Sequence, residues 1–126
     1  PQVDAVRAMS DDMAERIARS KDAMKGLSPA QMDGLTAEAD AIEVAMAKAM
    51  TDGMPADCEA VRILVRRHHA WIGRAWSRPA GRDAYINLGR LYGEHPDFRA
   101  RYEGRRAGLT DYLAEAMRAF AERELT

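Results

Sequence analysis

The chain has 126 residues, of which 47% are hydrophobic and 31% are charged, and its formal net charge is −1. This length suits one domain with a single core, and the near-neutral charge argues against a nucleic-acid-binding module, which would carry a basic excess. The single cysteine, Cys58, excludes an intrachain disulfide framework, and no apolar run approaches the roughly 20 residues that span a bilayer, so we expect a cytoplasmic domain without membrane contact.

Composition divides the chain near residue 54. Residues 1–54 carry six basic and ten acidic side chains, whereas residues 55–126 carry thirteen basic side chains, all arginine, and ten acidic ones. Seven of the eight methionines precede Trp71, and all eight aromatic residues lie at or after it. We therefore expect a mobile, Met-rich front part over 1–54, which orders on binding a ligand or partner, and aromatic core helices over 55–126.

The first half contains two helix signals. Ser10 is placed as the N-cap of a helix over about 11–25. Ser28, Pro29 and Gln31 form a capping box with proline at N1, which begins a second helix that ends at Gly53. Its apolar side follows steps of three and four residues: Leu35, Ala39, Ile42, Met46 and Met50.

Four more helices are predicted from Pro55 onward. The third runs from Pro55 at N1 to about Trp76, with apolar positions on one side and a solvated arginine face of Arg62, Arg66, Arg67 and Arg74. Helices over about 82–93, from His95-Pro96 to near Gly104, and over about 106–124 follow. Because no stretch alternates as a strand would, the chain is expected to be all-α, with five to seven helices.

Catalytic and metal-site patterns are weak. His68 falls on the apolar side of the third helix and His69 lies off it, so the two cannot easily bind one metal, and His95 is placed as an N-cap. Cys58, placed in the first turn of the third helix, has no identifiable general base and is expected to be a buried, inert thiol. We expect no enzyme activity, no metal and no cofactor; a thiol-dependent enzyme is a distant alternative.

The aromatic residues of the second half are the candidate binding site. Clusters of Trp and Tyr near helix ends line apolar ligand pockets, although such residues also build ordinary cores. The candidate ligand-binding residues are His68, Trp71, Trp76, Tyr85, Tyr92 and Tyr112, with His68 as a polar contact in the wall.

Several ordered segments resemble the TipAS-type antibiotic-recognition domain, the effector-binding part of some MerR-family transcription regulators. These segments cover about half of the chain: Leu64-Val65-Arg66-Arg67-His68-His69-Ala70-Trp71-Ile72, Leu88-Gly89-Arg90-Leu91-Tyr92, Pro96-Asp97-Phe98-Arg99-Ala100-Arg101-Tyr102-Glu103 and Gly108-Leu109-Thr110-Asp111-Tyr112-Leu113-Ala114-Glu115-Ala116-Met117. The Ser28-Pro29 helix start and Gly53 fit the front part of that family more loosely.

The resemblance implies a globin-like α-helical bundle without haem and a cleft for bulky, largely apolar ligands such as thiopeptides and other drugs. It also implies front helices that are mobile until ligand binds. Because the chain begins at Pro1, we expect it to be a fragment without its winged helix-turn-helix and coiled-coil helix. Through the full-length protein, the resemblance implies DNA and RNA polymerase as partners, and a homodimer.

One loop departs from the pattern of the thiopeptide-binding members, which carry a cysteine after the Trp helix. Here that loop is Ser77-Arg78-Pro79-Ala80-Gly81, and the earlier Cys58 is not its match. Covalent capture is therefore not implied for this chain. Two alternatives stay open beside the sensor interpretation, a protein–protein interaction module and a stand-alone drug-sequestering protein.

Overall fold

The computed structural model describes residues 26–126, and this part of the chain forms five α-helices and no strand. The helices are α1 (Pro29–Thr51), α2 (Glu59–Trp76), α3 (Arg82–Glu94), α4 (Pro96–Arg105) and α5 (Leu109–Glu124). The all-α prediction is therefore confirmed. The helix predicted over 11–25 lies outside the described residues, and the globin-like arrangement and the mobility of the front part stay predictions.

The start of α1 is the capping box that the sequence predicts. Ser28 accepts a hydrogen bond at Oγ from the backbone N–H of Gln31 (3.2 Å), and Gln31 accepts one at Oε1 from the backbone N–H of Ser28 (2.9 Å). Pro29 occupies the first turn, where its missing N–H costs nothing. The chain leaves the helix through Gly53, whose φ of +76° suits glycine.

The predicted starts of α2 and α5 were wrong by a few residues. The Pro55 carbonyl accepts from the N–H of Cys58 (3.1 Å) in a turn, so α2 begins at Glu59 with Cys58 as an extended N-cap residue rather than as part of the first helical turn. In the same way Arg106 is extended and Gly108 has a φ of +88°, so α5 begins at Leu109. The predicted α3 and α4 are confirmed within one residue at each end, and His95 caps α4 by accepting at Nδ1 from the N–H of Asp97 (3.2 Å).

The centre of the bundle is the packing of α3 on α5, the most extensive helix pair among the described residues. Gly89 makes this close approach possible, because a Cβ there would lie 3.2 Å from the Ala114 Cα. Helices α2, α4 and α1 complete the core, with α1 lying mainly on α2. None of the five helices is both long and apolar enough to cross a membrane.

The buried apolar residues come from every helix, and α1 contributes a short stretch. The least exposed large side chains of the core are Ile42, Met46, Val61, Val65, Tyr85, Leu88, Leu109 and Met117. Within α1 the buried apolar positions are Ile42, Met46 and Ala49, so the predicted apolar side of this helix is buried only over its C-terminal half.

Candidate ligand-binding site

His68 lies at the centre of a buried polar network between α2 and α3. Its Nδ1 is 2.6 Å from the Tyr85 hydroxyl, and its Nε2 is 3.4 Å from the Tyr92 hydroxyl. The Tyr85 hydroxyl donates to the Val65 carbonyl at 3.4 Å. One tautomer satisfies every contact: Nδ1–H donates to Tyr85, and Nε2 accepts from Tyr92. The network thus holds His68 neutral and fixed in one orientation.

Burial sets the protonation of these groups. Desolvation, followed by the charge of His69, lowers the pKa of His68 from 6.5 to about 4. Desolvation likewise raises the pKa values of Tyr85 and Tyr92 well above 10. All three side chains are therefore uncharged at neutral pH, and their hydroxyl and imidazole groups hydrogen-bond within the network.

Trp71 joins α2 to α1. The ring is half-buried on α2, and its Nε1–H donates to the backbone carbonyl of Leu35 at 2.8 Å. A few residues away, Arg67 donates to Glu38 from Nε (3.1 Å) and Nη2 (2.7 Å). The N-terminal half of α1 therefore lies along the Trp71 side of α2.

The other predicted residues lie in different surroundings. Trp76, also half-buried, packs against the core at the end of α2. Tyr112, on α5, donates its hydroxyl to the Met54 carbonyl at 2.8 Å, in the connection between α1 and α2. The structure thus brings His68, Tyr85 and Tyr92 into one cluster and links Trp71 to α1, whereas Tyr112 holds a loop.

Sequence reasoning missed a charged cluster beside this network. Glu43 of α1, whose side chain is 9% exposed, accepts from Arg101 Nε and Nη2 at 3.0 Å each and from Arg105 Nε at 2.6 Å. Tyr102, on the same helix as the arginines, packs its ring against that of Tyr92, with the ring centroids 5.0 Å apart. Glu43 lies four residues after Ala39 and three before Met46, a spacing that puts it on the apolar side of α1, and this was the available signal.

Elsewhere on the described surface, an open concavity of about 330 Å³ lies along α5. Its lining is mostly charged and includes no predicted site residue: Asp57, Glu115, Arg118, Ala119, Glu122 and Arg123. Within residues 26–126, no group of three or more His, Cys, Asp or Glu side chains is arranged to hold a metal ion.

These observations define an all-α bundle with a buried His–Tyr–Tyr network between α2 and α3, and with α1 packed mainly on α2. The family profile described as the TipAS antibiotic-recognition domain matches residues 9–120, and the chain belongs to this family.

Curated relatives agree with that membership. The chain is 46% identical over 116 residues to proteins named HTH-type transcriptional regulator SkgA from two strains of Caulobacter vibrioides. The match covers 92% of this chain but 46% of each relative, so the chain spans about half of their length. No solved structure gives a significant match.

Proposed function

We propose that this chain is the ligand-sensing domain of a MerR-type transcriptional activator, and that it binds bulky, largely apolar molecules such as peptide antibiotics. It acts by binding and not by catalysis. Family membership and the relatives' names support this proposal. In the full-length protein, ligand binding would be passed to a DNA-binding half and so to RNA polymerase, within a cytoplasmic homodimer.

The observation that carries the proposal is the hydrogen bond from Trp71 to Leu35. It connects α1 to Trp71, which lies three residues after His68 on α2, and so supports a binding site where α1 meets this part of α2. A ligand that inserts there contacts both α1 and the aromatic core, and so changes the free energy with which α1 packs. Tyr85 and Tyr92 are almost fully buried in this structure, so the ligand enters as α1 repositions over it.

The free energy for this coupling comes from the burial of apolar surface. Closing α1 over a ligand buries apolar surface at roughly 25 cal/mol per Å². That gain must exceed the conformational entropy lost when the front part orders. A large ligand therefore suits the site better than a small one, since it supplies more area for the same ordering cost.

Calorimetric titration with a panel of apolar natural products, including a thiopeptide, tests the proposal. We expect at least one compound to bind, and Trp71→Ala and Trp76→Ala to weaken its binding by about tenfold or more. Arg74→Ala, on the exposed face of the same helix, is the matched control and should bind as the wild type does. Wild-type affinity in both tryptophan variants would show that the aromatic site is wrong.

A further inference from the structure

Four charged side chains meet at the interface between α1 and α4. Two carboxylates one turn apart on α1, Asp40 and Glu43, face two arginines one turn apart on α4, Arg101 and Arg105. Besides the three hydrogen bonds to Glu43, Arg105 donates from Nη2 to Asp40 at 2.6 Å, and Arg101 Nη2 lies 3.6 Å from the same carboxylate. The interface thus balances two negative charges against two positive ones.

Glu43 is the most buried member of this set. Its side chain is 9% exposed, whereas the Arg101 and Arg105 side chains are 48% and 28% exposed. Burying an ionised carboxylate is costly unless it is paired and hydrogen-bonded. Removing only the arginines costs more stability than removing the carboxylate and the arginines together, because the carboxylate charge is then left buried and uncompensated. The packing of α1 therefore depends on both arginines.

Besides these charged contacts, α1 is held by the buried apolar residues between 42 and 49 and by the bonds of Leu35 and Glu38 to α2. No residue before Ile42 in this helix is buried, and the buried apolar positions end at Ala49. Glu43 therefore lies inside the one stretch where α1 enters the core. The packing of α3 on α5 at the centre of the bundle is more extensive than the packing of α1 on α5.

We propose that Glu43, Arg101 and Arg105 form an electrostatic latch that holds α1 on the bundle. When the Glu43 carboxylate loses its arginine partners, α1 separates while α2–α5 stay folded. This inference goes beyond the proposed function and does not depend on any ligand.

The latch also adjoins the His68 network. The Glu43 carboxylate contributes, after desolvation, to the raised pKa of Tyr102, and the Tyr102 ring packs against that of Tyr92. Separation of α1 therefore changes the electrostatic surroundings of the two tyrosines that lead to His68.

Hydrogen exchange on the 126-residue chain, followed by NMR, tests the latch. The double variant Arg101→Gln/Arg105→Gln leaves Glu43 charged and without its partners, and adding Glu43→Gln removes that charge. The Trp71 indole N–H and the Ile42 and Met46 amides report on α1. The Leu88 and Met117 amides report on α3 and α5.

In the double variant we expect exchange of the Trp71 indole and of the α1 amides to accelerate by about tenfold or more. Exchange at Leu88 and Met117 should be unchanged, and the triple variant should return towards wild type. The control Lys48→Gln breaks an exposed pair with Asp52 on the same helix and should change nothing.

Three results would overturn the proposal. They are unchanged exchange in the double variant, an equal acceleration at Leu88 and Met117, and a triple variant that exchanges as fast as the double one.

Discussion

The Nε1–H of Trp71 donates to the Leu35 carbonyl at 2.8 Å, and this bond connects α2 to the exposed N-terminal half of α1. It lies beyond the buried positions of α1, which begin at Ile42. Trp71, a candidate ligand contact, is therefore also one of the few residues that attach the first half of α1 to α2.

Trp71→Phe tests this attachment. The substitution keeps an aromatic ring and removes the donor, so we expect the free energy of unfolding to fall by about 0.5–1.5 kcal/mol. Urea denaturation followed by circular dichroism measures this change. Arg74→Gln, on the exposed face of α2, should leave stability within about 0.5 kcal/mol of wild type. Equal stabilities for Trp71→Phe and wild type would mean that the hydrogen bond does not hold α1.

The lowered pKa of His68 predicts a pH dependence of stability. Because the pKa is 6.5 when unfolded and about 4 when folded, the unfolded chain binds more protons between these values. The contribution of neutral His68 to the free energy of unfolding is fully present above pH 6.5 and is lost as pH falls to about 4. Over this interval the free energy of unfolding changes by up to about 1.4 kcal/mol per pH unit.

His68→Gln isolates that contribution, because the other titrating groups are common to both proteins. We expect urea denaturation between pH 4 and 7 to show a shallower loss of stability in the variant than in wild type. Parallel curves over this interval would contradict the buried, neutral state of His68.

Glu103 caps the N-terminus of α5 from the preceding helix. Its carboxylate accepts from the N–H of Gly108 (3.0 Å) and from the N–H and hydroxyl of Thr110 (3.1 and 2.7 Å). These bonds lower the pKa of Glu103 to about 2, and the bond from Gly108 has the largest effect. The cap is therefore complete above the unfolded pKa of about 4.5 and is lost as pH falls towards 2.

Glu103→Gln should open the first turn of α5. We expect faster exchange of the Tyr112 and Leu113 amides at neutral pH, since a neutral amide cannot accept all three bonds as the carboxylate does. Glu122→Gln, in an exposed pair with Arg118 on α5, serves as the control and should leave this turn unchanged. Wild-type exchange in Glu103→Gln would rule out a capping role.

Gly108 and Gly104 differ in how well they can accommodate a Cβ, so alanine substitutions at the two positions can be compared. Gly108 has a φ of +88°, and a Cβ there would lie 2.8 Å from the Met50 Cε, whereas a Cβ at Gly104 meets nothing within 4 Å. We expect Gly108→Ala to lower the free energy of unfolding by about 1–3 kcal/mol. Gly104→Ala, within α4, should be neutral or stabilising by up to about 1 kcal/mol. Equal effects in urea denaturation would contradict this backbone geometry.

Local signals in the sequence predicted much of the fold. Ser28, Pro29 and Gln31 specify the start of α1 through contacts within four residues, and His95 specifies the start of α4 in the same way. Pro55 gave a misleading signal, because proline at the first position of a helix and proline at the start of a turn are equally compatible with its fixed φ. The turn closed by Cys58 decided between them.

The candidate site was harder to predict, because it depends on contacts distant in sequence. The position of His68 on the apolar side of α2 indicated a buried histidine, but not that Tyr85 and Tyr92 would bond to its two nitrogens. Glu43 was missed because charged residues are usually exposed, and its partners Arg101 and Arg105 lie 58 and 62 residues away. Periodicity carries no information about such pairs.

In the proposed function, ligand binding is coupled to the ordering of the front part. Amide hydrogen exchange on the chain, alone and with the panel of apolar natural products, tests it most directly. We expect the amides of α1 to exchange faster than those of α3 and α5 without ligand, and to become protected when a compound binds. Strong protection of α1 without ligand, unchanged by any compound that binds, would contradict the account and leave a rigid pocket or a partner interface in its place.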